Sequence, residues 1–204
     1  MAVRRLRQGR LIAVDGGSGP AVAAAAKSLS RALRGANTHG GLSPWDSSGI
    51  FTELAAAEGG IPGPSARTLT LLYAADLAFR VRWQIGPAIE AGHSVVAAPY
   101  VESAKALGIA AGLPRRWLDH LFRFAPKPDI CYHVSERGAR AARRTPEGYA
   151  ECFANALAAS GGAVDPAELR SRCVQYLTAL ERRGRCSRLA TPAAAAVQKR
   201  ARRR

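Results

Sequence analysis

Residues 11–34 constrain the fold more than any other stretch of the chain. The apolar run Leu11-Ile12-Ala13-Val14 passes through Asp15 into Gly16-Gly17-Ser18-Gly19 and then directly into an alanine-rich segment. Apolar residues bounded by a glycine turn read as a buried strand. A helix follows over residues 20–34: Pro20 suits its first turn, where an N–H has no helical partner. Val22, Leu29 and Leu33 supply its apolar stripe, and Gly35 stops it. The arrangement has the outline of a phosphate-binding loop without the chemistry. In GxxxxGK[ST] a lysine and a hydroxyl stand at the exit to the helix; here the residues are Pro20 and Ala21. The alternative is a plain glycine turn before a helix.

Strand and helix signals alternate along the rest of the chain, which predicts an α/β fold with a parallel sheet. Residues 36–65 are rich in Gly, Pro and Ser and read as a long irregular connection with one short helical piece over 51–57. The strongest helical stretch is 66–90, with Leu69, Leu72, Tyr73, Leu77 and Val81 on one side and a kink or restart at Pro87. "HSVVAAPY" predicts a buried strand over 94–98, ended by Pro99. Helices are expected at 101–111 and 114–125, a strand at 129–135, and helices at 146–159 and 166–183. Asp165 caps the last of these, with Pro166 at its first position. "CSRLAT" reads as a final short strand.

A chain of 204 residues fits one domain with a substantial core. No apolar run is long enough to cross a bilayer, and the basic N-terminus does not read as a signal peptide, so no membrane partner is expected. Cys131, Cys152, Cys173 and Cys186 are widely spaced, without a CxxC pair. That pattern points to a reducing, cytoplasmic setting and against a disulfide framework or a zinc site. The four histidines, His39, His93, His120 and His133, have no metal spacing. Net charge is +15, with 30 basic against 15 acidic residues, and the excess is concentrated at the ends. We therefore divide the chain into a basic arm over 1–10, a folded domain over 11–195 and a basic tail over 196–204. Such ends are usually solvated, but they also hold phosphate backbones, so nucleic acid is a candidate partner through them.

Residues 71–134 carry a more specific pattern. "LLYAADLAFRVRWQIGPAIEAGHSVVAAPYVESAKA", followed by "WLDHLFRFAPKPDICYHVS", resembles the bacterial thymidylate kinase family. That family has a segment like LLFAADRAxH, a helix ending in ALEAG, a strand ending in DRY, a tryptophan-containing helix and then KPDLTxxLDV. The resemblance implies a P-loop-type, five-stranded parallel sheet wrapped by helices, with an arginine-bearing lid at about 136–147. It also implies transfer of a phosphoryl group from ATP to dTMP with magnesium, and a homodimer.

Set against the family, the charged groups are largely missing. Pro20 and Ala21 replace the loop lysine and hydroxyl, and Ala98 and Pro99 replace the acid and arginine of DRY. Leu77 replaces the arginine of the ADR segment, Asn37 and His39 replace the arginine and proline of REPGG, and Leu107 and Gly108 replace a tyrosine-glutamine pair. Such groups neutralise charge in phosphoryl transfer, so their joint loss predicts a pseudokinase with at most weak nucleotide or anion binding. An active dTMP kinase, the one reading that requires ATP and magnesium, is the alternative; a polyanion-binding protein is the third. No catalytic residue or metal ligand is assigned. The surviving phosphate-site candidates are Gly16, Gly17, Ser18 and Gly19, whose backbone N–H groups open a helix. Nucleoside-site candidates by resemblance are Tyr73, Asp76, Arg80, Tyr100 and Glu102, although Tyr73 also reads as a core aromatic and Glu102 as a first-turn acid facing the helix dipole. Arg137, Arg140, Arg143 and Arg144 are the lid candidates, with a solvated basic face as the alternative.

Overall fold

The computed structural model describes residues 9–35, 40–56, 64–134, 148–159 and 165–189. Five strands, β1 (Leu11–Gly16), β2 (Gly40–Pro44), β3 (Ser94–Ala98), β4 (Ile130–Val134) and β5 (Ser187–Leu189), form one sheet in the order β2-β3-β1-β4-β5. Every pairing is parallel. Parallel neighbours need crossovers, and helices supply them. They are α1 (Gly19–Gly35), α2 (Ile50–Ala56), α3 (Ala66–Arg80), α4 (Gly86–Glu90), α5 (Val101–Ala110), α6 (Arg115–Leu121), α7 (Tyr149–Ala159) and α8 (Pro166–Arg182).

Alternation along the central strands divides the core in two. Ile12, Val14, Val96 and Ala98 point to one face and pack on Ala21, Val22, Ala25 and Ala26 of α1. Leu11, Ala13, Val95 and Ala97 point to the other and meet Leu69, Leu77, Leu107, Phe153 and Leu177 from the remaining helices. A sheet covered on both faces explains why β1 and β3 read as continuous apolar runs rather than as alternating ones. Small alanines on α1 let that helix lie close against the sheet. Asp165 caps α8 as expected, accepting the Ala167 N–H at 2.9 Å.

Three expectations are corrected. The 36–65 connection contains β2, an edge strand of Gly40-Gly41-Leu42-Ser43-Pro44. Glycine and proline are poor strand formers, so this strand depends on pairing with β3, and its proline is tolerated at the sheet edge. The 66–90 stretch restarts at Pro87, one of the two outcomes expected, but it is not α-helical throughout. Between α3 and α4 the turns widen to a π-helix over Val81–Ile85, where the Gly86 N–H reaches the Val81 carbonyl. Pro87 then sits in the first turn of α4, where its missing N–H costs least. Finally, Cys131 and Cys186 form a disulfide, S–S 2.08 Å, which overturns the expectation of unbridged cysteines. Parallel pairing sets Tyr132 opposite Ser187, so the residues one step earlier, 55 apart in sequence, become neighbours with Cα atoms 4.7 Å apart. No short spacing could signal that pair.

Candidate phosphate loop and buried polar network

The loop candidates lie at the C-terminal edge of the sheet, where β1 turns into α1. Gly16 is tied to α5: its N–H donates to Ser103 Oγ at 2.9 Å, and that hydroxyl donates back to the Gly16 carbonyl at 3.1 Å. Ser18 is bound into the helix start through its carbonyl, which accepts the Val22 N–H at 3.0 Å. The Gly19 N–H, at the first residue of α1, is already engaged by a carboxylate. It donates to the Glu151 carboxylate of α7, at 3.2 Å to Oε1 and 3.0 Å to Oε2.

Gly148 closes the same spot from the backbone side. A Cβ added to Gly19 would lie 2.3 Å from Gly148 Cα and 2.6 Å from Glu151 Oε2, so both positions of this contact require glycine. Burial pushes the Glu151 carboxyl above its ordinary range, while bonds from backbone N–H groups, that of Gly19 among them, oppose the shift. At Gly19 the helix N-terminus holds the chain's own carboxylate. Pro20 has no N–H and Ala21, buried beside it, has no hydroxyl. This loop does not fit a magnesium–triphosphate group in the manner the resemblance implies.

Asp15, one residue before the turn, is fully buried. Its Oδ1 accepts the N–H groups of Tyr100 at 2.8 Å and Ser103 at 2.9 Å, fastening β1 to the start of α5. Its Oδ2 is buried without a hydrogen-bond partner. Burial pushes the carboxyl up to about 6; the Ser103 amide opposes the rise and the neighbouring Glu102 adds to it. Glu102 itself accepts a hydrogen bond from the Tyr176 hydroxyl at 2.9 Å, which joins α5 to α8.

Tyr73, Asp76 and Arg80 are brought together, inside the protein. All three are wholly buried on α3. Arg80 Nε lies 3.0 Å from Asp76 Oδ2. Its Nη atoms donate to the carbonyls of Pro99, at 3.0 and 3.1 Å, and Ser43, at 3.3 Å, and to the Tyr73 hydroxyl at 3.2 Å. Tyr73 donates in turn to the Tyr100 carbonyl at 2.6 Å. Asp76 Oδ1 accepts from the Ser48 N–H and hydroxyl at 3.0 and 2.9 Å. The guanidinium therefore gathers carbonyls at the ends of β2 and β3.

The Tyr73 ring has no exposed surface; its centroid lies 4.2 Å from that of Tyr149, so a stacked base would have to displace Tyr149. Tyr100 is likewise enclosed and donates its hydroxyl to the Pro126 carbonyl at 2.7 Å. Leu77 is core. Ala98 and Pro99 end β3 across a cis peptide, with the Pro99 carbonyl on Arg80. Arg137, Arg140, Arg143 and Arg144, together with Asn37 and His39, lie outside the described residues. Among the described residues no group of three His, Cys, Asp or Glu side chains could hold a metal, and no helix is long and apolar enough to cross a membrane. Sequence reasoning missed Glu151, Gly148 and the bonds made by Asp15 and Ser103. Glu151 had no local signal in the sequence.

Sheet order, parallel pairing and the strand–turn–helix from β1 to α1 define an α/β fold of the P-loop nucleoside-monophosphate kinase type. No family model matches the chain. Over 62 residues it is 47% identical to a protein described as a probable thymidylate kinase from Thermococcus kodakarensis, covering 30% of each chain. A protein of the same description from Pyrococcus abyssi is 39% identical over 75 residues, 37% of each chain. A third, from Thermococcus gammatolerans, is 45% identical over 60 residues, 29% of each. The chain thus spans about a third of the length of the curated relatives it matches. Over these stretches the chain is similar to proteins described as probable thymidylate kinases, and its sheet order agrees with the fold that likeness implies.

Proposed function

We propose that this protein is a thymidylate kinase-like pseudokinase whose phosphate loop is held shut by its own chain. The observation that carries the reading is the Glu151 carboxylate on the Gly19 N–H, with Gly148 packed against the same glycine. A triphosphate would have to expel that carboxylate and would then meet neither the lysine charge nor the hydroxyl that the family motif supplies. Arg80 and Asp76, the charged groups kept on α3, are spent on each other and on backbone carbonyls. What remains is weak anion binding at a helix N-terminus, a dipole contribution of about 0.3–1 kcal/mol.

The test is a coupled assay with ATP, magnesium and dTMP on the purified full chain. The expected rate equals that of a no-enzyme control. Turnover near the ordinary enzyme range, about one per second or faster, would sink the proposal. A second reading, an active dTMP kinase, draws support from the names of the matched relatives, and the same assay would establish it.

The homodimer expected from the resemblance also remains a proposal. It is supported by Leu71, Phe79 and Trp83, exposed at four-residue multiples along α3 and the π-helix, Trp83 being 64% exposed. Nucleic-acid binding through the basic ends rests on charge alone. It is tested by deleting residues 196–204 and measuring the salt dependence of binding, which should flatten.

A further inference from the structure

On the face of the sheet opposite α1, a cavity of about 520 Å³ opens between α5, the turn leading into β4, and the C-terminal end of α8. None of the loop residues 16–19 lines it. Its volume falls within the range of small-molecule sites, about 300–1,000 Å³. The Cys131–Cys186 disulfide forms part of its wall.

The polar groups of this cavity are ordered from floor to mouth. At the floor is Asp15, fully buried, whose Oδ2 has no hydrogen-bond donor. A buried acceptor of this kind is rare and calls for a partner. Ala13, Phe122 and Leu180, all buried, give the middle an apolar wall. Lys127 and Arg185 stand exposed at the mouth. The other charged lining groups are committed elsewhere. Glu102 accepts from Tyr176, Asp129 accepts from the Leu11 N–H at 2.8 Å, and Lys105 pairs with Asp119 at 2.8 Å. A single water would satisfy Asp15 Oδ2, but it would leave the apolar wall and the cationic mouth without an occupant.

We propose that this cavity binds a small zwitterion with an apolar spacer. An ammonium head meets Asp15 Oδ2, the spacer lies against Ala13, Phe122 and Leu180, and a carboxylate tail meets Lys127 and Arg185. The class is that of an ω-amino acid whose charged ends are separated by a ring or a short alkyl chain.

Three probes separate these contributions, each titrated calorimetrically into the full chain under non-reducing conditions. They are 4-(aminomethyl)benzoate, benzylamine without the tail, and 4-methylbenzoate without the head. The zwitterion should bind at least about tenfold more tightly than either fragment. Replacing both mouth cations, Lys127→Ala with Arg185→Ala, should bring it to the level of benzylamine while leaving benzylamine unchanged. Asp15→Asn should abolish the preference for the amine. The mouth variants lie on the surface, so they decide the matter even if Asp15→Asn fails to fold. Equal binding of all three probes, indifference to the mouth variants, or no saturable binding at all overturns the proposal and leaves the cavity to water.

Discussion

The α3 network and the β1–α1 loop both bring a charged side chain to backbone groups at the C-terminal edge of the sheet, yet the two are built differently. Arg80 is sealed: it has no exposed surface, a carboxylate at 3.0 Å and three backbone or hydroxyl acceptors. Glu151 is only half-buried, and its carboxylate takes backbone N–H groups at the loop, that of Gly19 among them. Removing a charge from the first site strands its buried partners, whereas removing it from the second uncovers a donor near solvent. The difference teaches that the charges at α3 serve architecture, while the carboxylate at the loop sits in a contact nearer to solvent.

The sharpest break in that comparison is expected at Arg80. Arg80→Met leaves Asp76 charged, buried and without its counter-ion, and should cost about 3–5 kcal/mol in denaturant unfolding. Combining it with Asp76→Leu should recover part of that loss, because the pair and not the arginine alone is at stake. A change under about 1 kcal/mol for Arg80→Met would show that the network is not holding the sheet edge together.

Asp15 gives the next largest effect, and its sign is opposite to that of an ordinary paired carboxylate. Its folded value, about 6, lies above the ordinary 3.8 of an aspartate. The folded state therefore binds the proton more readily than the unfolded chain does. This contribution to stability is fully present below pH 4 and is lost as pH rises to about 6. The size is on the order of 2–3 kcal/mol. Asp15→Asn keeps an acceptor for the Tyr100 and Ser103 amides and removes the charge, so unfolding free energies measured between pH 4 and 7 should lose this slope. A slope that persists in the variant assigns it to another group.

Glu151→Ala should cost little, about 1 kcal/mol, since the lost bond is partly solvated. Its consequence is functional: the Gly19 N–H becomes free, and inorganic phosphate should bind at about millimolar strength where the parent chain binds more weakly. Phosphate affinity unchanged by this substitution would mean that the carboxylate is not what closes the loop.

Smaller still is the effect expected on α3's outer side. Trp83→Ser with Phe79→Ser should leave stability within about 0.5 kcal/mol. If the exposed stripe joins two copies, sedimentation should then show monomer in place of dimer.

The strands that sequence disclosed most plainly, β1 and β3, were those whose side chains pack on both sheet faces; β4 and the largely exposed β5 were read as well. Val95, Val96 and Leu11 to Val14 are apolar without interruption, and the sheet buries them on both sides. β2 stayed hidden because its glycines and proline carry no strand preference of their own; only its hydrogen bonds to β3 make it a strand. The Cys131–Cys186 pair was hidden for a related reason, since parallel register and not spacing makes the two neighbours. At the site, the departures from the family pattern at Pro20, Ala21, Ala98, Pro99 and Leu77 were legible residue by residue. The carboxylate on the Gly19 N–H was not. Glu151 lies 132 residues from Gly19, and nothing local to it marks a carboxylate that will cap a distant helix.

One titration bears on the closed loop more directly than any other: Mg-ATP into the native full chain, with the Pro20→Lys, Ala21→Ser variant alongside. The closed loop predicts binding no stronger than about millimolar for the native protein and a modest gain for the variant, with no turnover of dTMP in either. Micromolar binding of Mg-ATP to the unaltered protein would contradict the account, because a loop already filled by Glu151 and lacking its lysine could not hold a triphosphate so tightly.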